Sequence, residues 1–124
     1  MVLDKISIFL FVWITSFLIH EVMHIKSQGL KSTGIIGVHQ YGFTASVNHM
    51  ENSEVFYYAG GVYTSIIMSL CALLSIGWWS WCFITLAWVQ LCYGIYEGYN
   101  YGDVDYRYII YIVIPLIMLI FWFI

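Results

Sequence analysis

Charge is what this chain has least of: four Lys and Arg and seven Asp and Glu in 124 residues, 9% in all. So small a basic complement excludes the polybasic surface that nucleic-acid binding needs. Together with a mean hydropathy of +0.84 it also excludes an ordinary water-soluble domain. Proline occurs once, and no low-complexity linker or internal repeat interrupts the chain, which excludes a string of modules. The three cysteines, Cys71, Cys82 and Cys92, lie far apart inside apolar segments and form no C-x-x-C pair. That spacing excludes a thiolate metal site, and they read as small apolar fillers.

What the chain has instead is apolar sequence, 62% of its residues. The expected fold is an all-α polytopic membrane protein: a single domain over residues 1–124 with about four transmembrane helices, at about 20 residues per span. The helices fall at about residues 3–26, 53–77, 80–96 and 104–124. A signal peptide would show a clearly basic start and a small-residue cleavage site, whereas Asp4 here offsets Lys5, so the first helix is read as retained. Residues 34–50, GIIGVHQYGFTASVNHM, are β-prone with a turn near Gln40 to Gly42, and predict a short interfacial β-hairpin between helices 1 and 2. Its strand could hold an extended substrate through backbone hydrogen bonds. His39 and His49 in this stretch lack a partner at ligand spacing and read as ordinary hydrogen-bonded histidines. Asn52, Ser53 and Glu54 mark the start of helix 2, Gly77 to Trp81 reads as an aromatic turn at headgroup level, and Pro115 is expected to kink helix 4.

Five residues near the end of the first helix stand out, His20-Glu21-Val22-Met23-His24. Side chains four apart share a helix face, so His20 and His24 can aim two imidazoles at one ion. Glu21 points about 100° away around the helix and can reach a water at that ion as a general base. From composition, H-E-x-x-H arises by accident in roughly 1 of 250 such chains. Ionisable groups inside an apolar helix mark a site facing the protein interior. Alternate threading of the helices brings this motif, the small-residue run Ala59-Gly60-Gly61-Val62-Tyr63-Thr64-Ser65 and the Asp103/Asp105 segment to one side of the membrane. Lys26, Lys31 and Arg107 flank that side against Lys5 on the other, which makes it cytoplasmic. A catalytic zinc takes three protein ligands, and Asp103 or Asp105 is available as the third. Glu97 is a further carboxylate, read as lying at the interface or behind the ligands.

On these residues the chain resembles the site-2 protease family of intramembrane zinc metalloproteases. That family carries H-E-x-x-H on one span, A-G-P-x-x-N on the next and L-D-G on a later one. HEVMH matches the first motif; AGGVYTS at 59–65 is similar to the second, with Gly61 for Pro and Thr64 for Asn; GDVDYRY supplies an Asp without the Asp-Gly pair. The resemblance covers most of the chain in architecture and is residue-specific at these three places. It implies hydrolysis of a peptide bond in or near the membrane segment of a protein substrate. Zn2+ would be held by His20, His24 and Asp105 or Asp103, Asp105 being slightly preferred because Arg107 and Ile109 follow it in the manner of the family's Asp, with Glu21 as the catalytic base. Gly60, Gly61 and Thr64 would position the substrate. The implied partners are a membrane protein substrate, the lipid bilayer and a partner protein or second copy of the chain. Two alternatives stay open: an inactive metal-binding scaffold or chaperone of the same fold, and a small helix bundle binding haem or an ion.

Overall fold

A computed structural model of the chain describes residues 2–29, 31–39, 42–47, 53–100 and 112–123. The order is α1 (Val2–Lys26), β1 (Gly34–His39), β2 (Gly42–Val47), α2 (Ser53–Leu74), α3 (Gly77–Tyr99) and α4 (Ile114–Phe123). The fold is thus mostly helical with one short antiparallel hairpin, as expected, and among the described residues two helices are long and apolar enough to cross a membrane: Val2–Lys26 and Glu54–Leu74.

Helix α1 is uninterrupted because its run of branched and aromatic residues contains neither Gly nor Pro. It ends where Gly29 takes φ 129°, a conformation a side chain would resist. The carbonyls left at its end are met by the Ser32 hydroxyl, which donates to the Ile25 oxygen at 2.5 Å, while the Lys26 ammonium donates to the Ser32 oxygen at 2.9 Å. The hairpin pairs Gly34 with Val47 through His39 with Gly42, and β2 lies along α1.

Three boundaries differ from the sequence reading. Helix α2 stops at Leu74, and α3 begins at Gly77, so Trp78 to Trp81 form its first turn and the break falls at Ser75 and Ile76. The break is held by hydrogen bonds that cross it. Ser75 and Ser80 both return hydroxyls to carbonyls of α2, at Cys71 (2.7 Å) and Ala72 (2.8 Å), and Gly77 with φ 62° supplies the left-handed turn. At its other end α3 continues past Tyr96 to Tyr99, which keeps Glu97 on a helix. Pro115 is the second residue of α4, directly after π-helical backbone at Ile112 and Val113, and it is buried. The part of helix 4 expected between 104 and 111 lies outside the described residues.

Packing is organised on α2 and α3, which share the most extensive helix contact, with α1 laid against both and α4 touching α3. Phe9, Val12 and Trp13 of α1 meet Met68 of α2, Cys82, Leu86 and Ala87 of α3 and Leu119 of α4 in the apolar core. At one end of the bundle Trp78, Trp81 and Trp122 gather with ring centroids 4.6 to 5.1 Å apart, the Lys5 ammonium lies 5.3 Å from the Trp78 ring, and the Trp78 indole donates to the Lys5 carbonyl at 2.8 Å.

Toward the opposite end α2 and α3 touch backbone to backbone. A Cβ on Gly94 would lie 2.6 Å from the Gly61 Cα, and one on Gly98 would run into the Tyr58 ring. Gly94 and Gly98 form a G-x-x-x-G pair whose missing side chains permit this approach. Replacing Gly94 by Val should therefore force the helices apart and lower stability by about 3 kcal/mol. Thermal unfolding in detergent checks this, with the half-exposed neighbour change Ile95→Val expected to leave the midpoint in place.

Candidate metal centre

His20 and His24 both point inward, with exposures of 0% and 4%, as a spacing of four on one helix face dictates. Their Nε2 atoms lie 2.9 Å apart. A carboxylate from α3 closes the group: Glu97 Oε1 is 2.7 Å from His24 Nε2 and 3.3 Å from His20 Nε2. The ligand atoms of a tetrahedral zinc with bonds near 2.0 Å are about 3.3 Å apart, so a triangle of this size is close to the face of such a site. His20, His24 and Glu97 form a buried group that can hold a metal ion.

The other ring nitrogens show which form the imidazoles take. His24 Nδ1 lies 2.6 Å from the Phe56 carbonyl oxygen, and His20 Nδ1 lies 2.7 Å from Gln90 Oε1. Both partners are acceptors, so both Nδ1 atoms carry the proton, and each ring in its neutral form presents its lone pair at Nε2. Two imidazole lone pairs and a carboxylate oxygen then converge within 3.3 Å of one another. Such a convergence is repulsive by itself and is stabilised by a cation, and donation from the far nitrogen is the habit of metal-binding histidines.

Gly60 forms a wall of the site. A Cβ there would strike the His24 ring and lie 2.7 Å from His20 Nε2. Glu21, 6% exposed, lines a cavity of about 110 Å³ together with His24, Glu97, Phe43, Thr44 and Ala45 of β2, and Phe56 and Tyr57 of α2. That space admits several water molecules. The general-base candidate, two of the ligand candidates and a strand thus border one volume.

The sequence-predicted residues therefore fall out as follows. His20, Glu21, His24 and Gly60 come together. Gly61 is beside them but serves the α2–α3 contact, and Thr64, fully buried, donates its hydroxyl to the Gly60 carbonyl at 2.5 Å. Asp103, Asp105 and His49 lie outside the described residues, and of His39 only the backbone in β1 is described. Glu97, expected at the interface or behind the ligands, is 9% exposed and in contact with both imidazoles, because α3 runs three residues further than expected. Gln90 was not singled out. The signal for both was present: Gln90 and Glu97 are polar, seven apart and on one face of an otherwise apolar helix, with Gly94 between them.

Comparison with known proteins finds no matching family model, no matching curated protein and no matching solved structure.

If the imidazole nitrogens define the ion position, Gly60→Ala should weaken metal binding more than tenfold while leaving helix content intact, since Ala favours helix more than Gly. Cobalt titration followed by absorbance, beside circular dichroism, reads both effects.

Proposed function

We propose that this protein is an intramembrane zinc metalloprotease that hydrolyses a peptide bond in or near the membrane segment of a protein substrate. The observation that carries the reading is the buried convergence of His20 Nε2, His24 Nε2 and Glu97 Oε1 beside the cavity that Glu21 lines. Two histidines and one glutamate are among the donor sets of catalytic zinc, and such a set leaves a fourth position open. A bound Zn2+ would supply Lewis acidity and a water acidified toward neutrality. Glu21 takes the proton from the attacking water and passes it to the leaving amine. Glu97 is the third ligand in this reading, with a carboxylate from α3 taking the place that the resemblance gives to Asp105 or Asp103.

The membrane placement rests on where the apolar surface lies. Only 22% of the span window in Val2–Lys26 and 39% of that in Glu54–Leu74 is buried. Leu10, Phe11, Ile14 and Leu18 of α1 and Ile66, Leu70, Leu73 and Leu74 of α2 are exposed. The core helix of a soluble protein would hide such side chains, and lipid accepts them. We place all four helices across the bilayer, with the metal end cytoplasmic on the strength of Lys26, Lys31 and Arg107. A helical substrate must unwind before attack, and β2, which borders the cavity, is suited to receive the extended chain.

Two measurements test this. Glu21→Gln should lower cleavage of a membrane substrate by about 10²- to 10⁴-fold while zinc content stays at the wild-type level; unchanged turnover would favour a non-catalytic scaffold. Zinc quantification on purified wild type, His24→Ala, Glu97→Ala, Asp103→Ala and Asp105→Ala should show loss in the first two variants. Retention in Glu97→Ala with loss in an Asp variant would move the third ligand to the start of helix 4.

A further inference from the structure

The two imidazoles are held by different kinds of partner. His24 Nδ1 donates to a backbone carbonyl, at Phe56, which has only one way to respond. His20 Nδ1 faces a side-chain amide, and an amide can turn over. Had Gln90 presented its NH2 group, His20 would have to offer a lone pair at Nδ1 and carry its proton at Nε2, pointing into the group that is to hold the ion.

The next residue in the chain of hydrogen bonds decides the matter. Ser16 Oγ donates its single proton to the Trp13 carbonyl at 2.6 Å, which leaves the hydroxyl only lone pairs to offer. Gln90 lies 3.2 Å from that oxygen and must meet it with Nε2, a donor. Its Oε1 is thereby turned to His20, 2.7 Å from Nδ1. Ser16, Gln90 and His20 are all buried to within 1% exposure, so water does not compete for these groups. The order of donation is Gln90 to Ser16 to the Trp13 carbonyl on one side and His20 to Gln90 on the other, and each direction follows from the one before it.

We propose that Gln90, oriented by Ser16, is a positioning residue that fixes His20 as the Nδ1–H tautomer and so keeps its Nε2 lone pair turned toward Glu97 and His24. The proposal deepens the metal-centre reading and rests on it for its functional meaning, while the tautomer itself can be read without any metal. Gln90 touches neither ion nor substrate; it acts through His20.

The test uses the full chain in detergent, labelled with 15N at histidine. In wild type the His20 ring should show a protonated Nδ1 and an unprotonated Nε2 before metal is added. Cobalt(II) should then bind once per chain with a tetrahedral absorption spectrum. Gln90→Leu should mix the tautomers and weaken cobalt binding by about 10- to 100-fold. Gln90→Glu keeps an acceptor at the same place and should restore both the tautomer and most of the affinity. Because Gln90→Leu could fail to fold, Ser16→Ala is the milder arm: it frees the amide to turn, and a second tautomer with several-fold weaker cobalt binding is expected. A single Nδ1–H tautomer and wild-type affinity in Ser16→Ala, or in a folded Gln90→Leu, would overturn the proposal. Failure of wild type to bind cobalt or zinc would instead overturn the metal-centre reading, and the tautomer spectra of the same samples would still decide whether Gln90 and Ser16 set the ring.

Discussion

The close approach of α2 and α3 at Gly61 and Gly94 is the contact on which the rest of the structure depends. With no side chain on either residue, the two backbones meet, and everything chemically notable lies within about one helical turn of that point. Gly60 precedes Gly61 and faces the imidazoles. Gln90 and Glu97, four residues before and three after Gly94, reach His20 and the ligand group from the same face of α3. A bulkier pair at the crossing would move α3 outward and withdraw both polar side chains together. The fold and the site are therefore set by one contact.

A site of this kind is costly to bury, since unpaired polar groups lose several kcal/mol on leaving water. Here the cost is reduced by an ordered network. Each histidine has an acceptor on its outer nitrogen, the amide of Gln90 is engaged at both ends, and the Thr64 and Ser65 hydroxyls return to carbonyls of their own helix. The two Nε2 atoms and the Glu97 oxygen remain to be tied together, which a metal ion or a shared proton can do. Apolar packing of Phe9, Val12, Trp13 and Met68 supports this network from below.

Much of this could be read from the sequence because the relevant signals are local. Spacing placed His20 and His24 on one helix face, Gly-rich β-prone composition marked the hairpin at 34–50, and the run at 59–65 was recognised as a place of close approach. What escaped is not local. Whether Gly77 ends a turn or opens a helix depends on Ser80 reaching back to Ala72. Glu97 was passed over in favour of Asp103 and Asp105 because aspartates at a helix start fit the family pattern, whereas its contact with two imidazoles more than seventy residues away depends on how the helices cross. For Gln90 the sequence shows only a polar position on the same face of α3 as Glu97; its importance is a matter of direction in a hydrogen-bond chain.

The tryptophans at the far end have a consequence for the chemistry they never touch. Trp78, Trp81 and Trp122 with Lys5 form the group suited to a headgroup layer, and in the proposed bilayer they would act as the zero mark of a ruler. From Lys5 to His20 the helix rises about 22 Å, at 1.5 Å per residue, against a hydrocarbon thickness of about 30 Å. The scissile bond would then be selected by depth: only a substrate segment that exposes its backbone about 8 Å below the opposite surface would come into register, whatever its side chains.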